Sequence, residues 1–344
     1  MPMPGSTIAG RRNPGGMLEV ILAAAVVGLA VATFTPYAGS QAWWLDLFAH
    51  FRVHSAVAAV AVALFAIVVK RARWAVLAMM LVGANLLDIA PHVGDAGVGG
   101  AAAKPVASVG ARLKVVAFNI HNRRFEYASV VRFLRRQAAD LVFLSEVPEH
   151  RRQEFEPLRD IYPYWLIGRT SRFRGTEYPK AEHPMGLMVL SRRPWREAGS
   201  LEPADPVHPY GVRVSFDVGG LPLTIFGVHL SKPLYPGNAR IQDLELRALA
   251  AAVASQRVAG RDNIVIFGDM NLTPYAARFR QFLVDTGMTR LVAGISPTWP
   301  TALGLLGIPI DHVLARGRVE GEFHTGPDTG SDHLPMIGTL MVGG

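Results

Sequence analysis

The chain has 344 residues, half of them apolar, a formal net charge of +8 and no cysteine. Disulfides, zinc–thiolate sites and thiol catalysis are therefore excluded. The length allows one large domain plus a smaller part, and the arginine-rich excess of positive charge suits an anionic substrate or an anionic membrane surface.

The apolar excess sits at the front. Three apolar runs, about Met17 to Phe34, Val53 to Val69 and Trp74 to Ala90, follow one another with short connections. Each approaches the ~20 residues needed to cross a bilayer core, and three in succession predict a membrane bundle. Arg11 and Arg12 precede the first run, and Lys70, Arg71 and Arg73 fill the turn between the second and third. The positive-inside rule places a tail over residues 1–16 and the Lys70–Arg73 turn in the cytoplasm. Three crossings over residues 17–91 then leave everything after Pro91 outside. Trp43, Trp44 and Phe48 read as interfacial anchors. A cleaved signal peptide ending near Ala38–Ser40 is the rival reading, and it leaves the remainder of the chain on the same side. Asp88 reads as an interfacial group near the outer end. Residues 92–111 are Gly/Ala-rich and nearly uncharged, the composition of a flexible linker.

From Arg112 the pattern changes to short apolar runs bounded by turn residues. Strands are predicted over Lys114–Ile120, Leu141–Glu146, Gly186–Ser191, Val212–Asp217, Leu223–Leu230, Asn263–Asp269, Ile310–Ala315 and Met336–Val342. Helices are predicted over Glu126–Ala139 and Ile241–Gln256. Many strands with few helices indicate an α/β domain of two packed sheets with helices outside.

Polar residues gather at the strand ends. Asn119 closes VVAFN, Glu146 closes DLVFLSE and His229 lies near the end of TIFGVH. Asp269 and Asn271 end VIFGDMN, Asp311 opens IDHVLA, and Ser331, Asp332 and His333 precede the last strand. One such residue alone is an ordinary cap or turn. Six strand termini of this kind point instead to one cleft ringed by carboxylates, amides and imidazoles. Glu146 and Asp332 supply hard oxygen ligands, and without cysteine the implied ion is Mg²⁺ or Mn²⁺. Asp269 can orient or deprotonate an attacking water, and Asn271 can donate to a phosphoryl oxygen. A His with an Asp partner donates a hydrogen bond or moves a proton. No GxSxG elbow and no glycine-rich phosphate loop is present. Hydrolysis of a phosphoester or pyrophosphate by water is the chemistry these residues suit.

The motifs VVAFNI, FLSEV, FGVHLS, VIFGDMNLTP, IDHVL and GSDHLP resemble, in order, those of the endonuclease/exonuclease/phosphatase superfamily, the deoxyribonuclease-I-like fold. The resemblance covers about Arg112 to Val342 and makes residues 112–344 the catalytic domain. It implies a four-layer α/β/β/α sandwich with its site at the top of both sheets. It also implies roles: Glu146 as main metal ligand with Asn119 beside it, His229 on the scissile phosphate, and Asp269 and Asn271 on the water and transition state. Asp311 would pair with His333, and Asp332 would approach the metal. One position departs, because His121 stands where many nucleases of the superfamily have a second acidic residue. His312 lies on the opposite strand face from Asp311 and reads as structural.

The substrate side is less determined. Arg172 and Arg174 lie in the basic loop RTSRFRGTEYPK, and Arg240 precedes the second predicted helix. Trp299 stands before an apolar stretch, Leu303–Ile308, that can face lipid or pack under the sheet. The layout is similar to membrane-anchored bacterial members of the superfamily with an extracytoplasmic domain, including those associated with glycopeptide resistance. That implies a multi-pass protein of the cytoplasmic (inner) membrane whose catalytic domain hydrolyses a lipid-linked phosphate or pyrophosphate. A surface-anchored nuclease acting on DNA or RNA, a phospholipase-C-like phosphodiesterase and a non-catalytic binding domain are the alternatives. No protein partner is predicted.

Overall fold

The computed structural model describes residues 14–93, 111–120, 127–168, 185–201, 210–292 and 294–343. Four helices open it: α1 (Pro14–Phe34), a single turn α2 (Trp43–Asp46), α3 (Arg52–Val68) and α4 (Ala72–Ile89). Three helical stretches, Gly16–Ala38, Trp43–Val68 and Ala72–His92, are long and apolar enough to cross a membrane. Their packing is the reverse of a soluble bundle. Small residues, Ala59, Ala63, Ala66, Ala75 and Ala78, fill the interior, while Leu64, Ile67, Val68, Met80 and Leu87 face outward. Small residues bring helix backbones close, the packing that stabilises helices surrounded by lipid. At one end Glu19 pairs with Arg71 and Arg73 and accepts from the Trp74 indole. Toward the other end, buried Arg52 meets Asp88 at 2.7 Å and bonds to Thr33 O and Asn85.

The rest is built of β1 (Ala111–Asn119), α5 (Tyr127–Gln137), β2 (Leu141–Pro148), β3 (Tyr164–Ile167), β4 (Met185–Ser191), β5 (Glu197–Ser200), β6 (Gly211–Val218) and β7 (Leu221–His229). Then come α6 (Pro236–Val258), β8 (Ile264–Asp269), α7 (Ala277–Thr286), β9 (Thr289–Arg290), β10 (Asp311–Arg316), β11 (Val319–Thr325) and β12 (Met336–Val342). They form two six-stranded sheets, ordered β11-β12-β1-β2-β4-β3 and β5-β6-β7-β8-β10-β9. Parallel pairs β1–β2 and β7–β8 sit at the centre of each, flanked by antiparallel strands.

The central strands read as unbroken apolar runs because both faces are covered. Along β2, Leu141 and Phe143 enter the core between the sheets, while Val142 and Leu144 pack under α5 with Phe133 and Leu134. The outer face of the second sheet, Ile264, Ile266 and Leu314, is covered by α6 and α7 through Leu249, Val253 and Phe279. The result is the predicted α/β/β/α sandwich. At Gly227 the sheets approach closely: a Cβ there would lie 2.3 Å from the Phe143 ring.

The sandwich is packed directly onto the helices. Asp46, 0% exposed, accepts from the backbone N–H of Ala277 at 2.6 Å and from Arg278 Nε at 3.1 Å. A carboxylate on the first turn of α7 satisfies an open amide and complements the helix dipole. Ala49, Ala56 and Ile89 join the apolar cluster under α6 and α7, and the His92 and Tyr275 rings meet at 5.3 Å. The reading of residues 92–111 as a linker falls largely outside the described residues, yet the domain it leads into is seated against α2 to α4.

Candidate active site

The site forms where the central strands of both sheets end. In the second sheet, His229 and Asp311 lie abreast of Asp269 on the two neighbouring strands. In the first, Asn119 lies level with Ser145, one residue before Glu146.

Local backbone aims these groups. The β2–β4 register shifts between Leu144 and Val147, a bulge that turns Glu146 toward the cleft. Glu146 is left with φ of 56°, a left-handed conformation costing a non-glycine residue roughly 1–2 kcal/mol. Asn271 has φ of 50°, which an asparagine tolerates. Gly268 is required before Asp269: its φ is 136°, and a Cβ would lie 1.9 Å from Val228 O. Strain of this kind gathers at functional sites.

The side chains converge across the sandwich. Asn119 Nδ2 donates to Glu146 Oε1 at 3.0 Å and to Asp269 Oδ2 at 3.2 Å, joining the two sheets. His229 Nε2 lies 3.3 Å from Glu146 Oε1 and 3.7 Å from Asp269 Oδ2. His333 Nδ1 bonds Asp311 Oδ2 at 2.8 Å, and its Nε2 faces Asp269 at 3.7 Å. Asp269, fully buried, accepts from the Asn271 N–H at 2.8 Å. One N–H of the Asn271 amide donates to Leu230 O. Two groups, Glu146–His229–Asp269 and Asp269–Asp311–His333, each bring their ligand atoms within 4.8 Å of one another.

Charge follows this geometry. Burial and the Asp311 carboxylate push Asp269 above the usual carboxylate range, against the pull of His333 and His229. Asp311 is buried too, but the His333 charge and hydrogen bond, with a bond from Thr298, hold its carboxyl low. Burial opposes protonation of His333, yet Asp311 and Asp269 outweigh it and raise the imidazole to about 9. For His229 the same contest, with Glu146 and Asp269 on the raising side, also ends above the ordinary value. Three carboxylates against two imidazoles leave a negative excess in a cleft, the electrostatic setting for a cation. Asp332 Oδ1 adds a buried oxygen with no hydrogen-bond partner among the described residues. The donor set is oxygen and imidazole without sulfur, which fits a hard divalent ion.

Asp332 and Trp299 sit beside the cluster. The Trp299 indole N–H donates to Asp332 Oδ2 at 3.1 Å, and the ring lies 6.4 Å from that of His333. Asp332 is not in either convergent group. Arg240 is exposed near the start of α6, with no hydrogen bond or ion pair to the cluster among the described residues. Arg172, Arg174 and His121 lie outside the described residues. Two further residues, neither given a role from the sequence, brace the site. Thr298 Oγ1 accepts from the N–H groups of Ile310 and Asp311. Ser331 Oγ accepts from His333 N–H and donates to Asn119 O, tying the last motif to the first strand. The Ser-x-His spacing is the signal for the latter, since a serine commonly bonds the backbone two residues on.

His312 points away from this cluster. Its Nε2 donates to Leu272 O at 2.7 Å, its Nδ1 accepts from Arg290, and its ring lies 4.3 Å from that of Phe279. Burial and the Arg290 charge lower it to about 3. It therefore stays neutral in the fold while the unfolded chain takes up a proton below about pH 6.5. Stability present above that pH should be lost progressively as pH falls toward 3. Thermal unfolding of the full chain in detergent from pH 7.5 to 5 checks this. The fall in Tm should be shallower in His312→Gln, and equal slopes would contradict it.

The Endonuclease/Exonuclease/phosphatase family model matches residues 116–333. The chain belongs to this family. Enzymes of the family hydrolyse phosphoesters and generally use divalent metals. Among solved structures, the human Nocturnin catalytic domain with bound sulfate is similar at a TM-score of 0.53 and 12% identity, over 68% of this chain and 95% of that one. A truncated Caenorhabditis elegans TDP2 gives 0.51 and 15%, over 67% and 97%. An endonuclease/exonuclease/phosphatase family protein of Bacteroides thetaiotaomicron gives 0.50 and 12%, over 67% and 98%. At these identities the likeness is one of fold. Among curated proteins no relative matches.

Proposed function

We propose that the chain is a Mg²⁺- or Mn²⁺-dependent phosphohydrolase anchored in the cytoplasmic membrane and acting, on the outer face, on a lipid-linked phosphate or pyrophosphate. The observation that carries this is the seating of the catalytic sandwich, through Asp46 and α7, on the end of a bundle whose exposed surface is apolar. A soluble substrate gives no reason for that arrangement, whereas a phosphate held at the leaflet surface does. Orientation rests on Lys70, Arg71 and Arg73 at the opposite end of the bundle from Asp46.

Glu146 and Asn119 would hold the metal, with Asp332 as a further oxygen donor. The ion would polarise a phosphoryl oxygen and neutralise charge on the leaving group. The chain's own groups do the rest. Asp269 orients the attacking water and draws its proton, a task suited to a carboxylate whose buried position raises its basicity. His333, held in one orientation by Asp311, presents Nε2 toward the same centre. His229 and the remaining Asn271 N–H donate to the phosphoryl oxygens as charge builds on them, in a cleft where such bonds need no reorganisation. Phosphate release from a polyprenyl pyrophosphate by the full-length protein in proteoliposomes, against nicking of plasmid DNA, tests the reading.

A further inference from the structure

The segment between Trp299 and Asp311 carries an uncharged tip, Thr301–Leu306, that turns its apolar side chains outward. Leu305 is 90% exposed, and Leu303 and Leu306 are exposed beside it. An unpartnered apolar tip on a soluble face is a liability. Its position offers a reason: Leu306 O accepts from His54 Nε2 at 2.7 Å, so the tip touches the first turn of α3. At about 1.5 Å per residue, His54 lies ~21 Å along α3 from the Lys70–Arg73 end. That falls within a hydrocarbon core of ~30 Å. Exposed aromatic residues mark the same end: Phe51, whose ring meets His54 at 5.6 Å, with Phe48, Trp44 and Tyr37. The other side of the segment is bonded to the catalytic motif. Thr301 N–H donates to Asp332 O at 2.9 Å, Thr301 Oγ1 donates to Ser331 O at 3.0 Å, and the Trp299 indole donates to Asp332.

We infer that Thr301–Leu306 is a membrane-inserted arm, with Leu303, Leu305 and Leu306 in the outer leaflet, that holds the mouth of the active site against the bilayer surface. The inference rests on the membrane-anchored reading above and deepens it. It specifies an amphiphilic substrate whose carrier chain stays in the leaflet beside the arm while its phosphate enters the cleft at Trp299. A polyprenyl or acyl phosphate has that form, and a nucleic acid does not. No charged residue lies between Trp299 and Ile310, so nothing in the segment opposes burial in lipid.

The absence of cysteine makes the test direct. Leu305→Cys in the full chain, reconstituted in phosphatidylethanolamine/phosphatidylglycerol vesicles and labelled with nitrobenzoxadiazole, should show blue-shifted emission quenched by doxyl-labelled acyl chains. Val258→Cys serves as the reference: it is 91% exposed at the end of α6 remote from the site and should remain aqueous. Equal, unquenched emission at both positions would overturn the arm. Replacing all three leucines by serine should lower turnover of lipid pyrophosphate in vesicles at least ~10-fold, because the mouth of the cleft is no longer held against the leaflet although the spans still anchor the protein. Hydrolysis of a water-soluble phosphoester should stay within about twofold of the parent. Parental turnover of vesicle lipid by the triple variant would also overturn the arm. Quenching at position 305 with no lipid phosphate hydrolysed by the parent would leave the arm standing and remove the substrate reading instead.

Discussion

Asp269→Asn is expected to lower kcat by ~10²-fold or more with little change in thermal unfolding. The exchange keeps the side chain's shape and one acceptor for the Asn271 N–H. It removes a carboxylate that lies 3.7 Å from both His229 and His333. It also relieves the repulsion from Asp311 that, with burial, raises Asp269. Loss of activity with the fold retained is therefore the signature of a catalytic group. His333→Gln should act similarly, since Gln can still donate to Asp311 but cannot move a proton. His333→Ala is the less clean variant, because it strands a buried carboxylate at a cost of ~3–5 kcal/mol. Steady-state kinetics with a Tm for each variant checks the prediction. Parental kcat in folded Asp269→Asn would mean that the reaction occurs elsewhere.

Chelation should have an equally large effect. EDTA is expected to reduce hydrolysis to background, and Mg²⁺ or Mn²⁺ to restore it. Glu146→Gln should then require on the order of 10–100-fold more metal for half-maximal rate, since a neutral amide replaces a hard anionic donor. Its negative charge is also what balances His229, at 3.3 Å. The imidazole should therefore titrate lower in Glu146→Gln, readable as a changed acid limb of the pH–rate profile. Activity indifferent to EDTA, or an unchanged metal requirement in the variant, would exclude Glu146 as a ligand.

The strands that carry the candidate site are legible in the sequence because each is an apolar run bounded at one end by a polar residue. Asn119, Glu146, His229 and Asp269 mark such stops and Asp311 a start at the same edge, and a strand buried on both faces makes the change visible as the end of a continuous apolar run. The eight predicted strands are all present. Those not anticipated, β3, β5, β9 and β11, are short or lie toward the sheet margins, where half-buried sequences such as EAGS or VEGEFHT lack a clear period. The helix α7 begins at Ala277 without a local capping side chain, because its carboxylate comes from Asp46, 231 positions earlier. No local pattern records a partner that far away. For the same reason Thr298 is invisible as a brace: its role depends on the return of the chain at Ile310 and Asp311. The sequence leaves Leu303–Ile308 two readings, lipid or sheet, and the exposure of Leu303, Leu305 and Leu306 argues against packing under the sheet.

An anchored domain that works on phosphate carried by lipid must release that phosphate at the bilayer. The most direct measurement is phosphate release by the full-length protein in proteoliposomes with Mg²⁺, comparing a polyprenyl pyrophosphate in the bilayer with plasmid DNA outside it. EDTA-sensitive phosphate release from the lipid, lost in Asp269→Asn, is expected, with far slower nicking of the plasmid. Efficient nicking, falling steeply with salt as expected for phosphate-backbone binding, with no phosphate released from lipid, would contradict it.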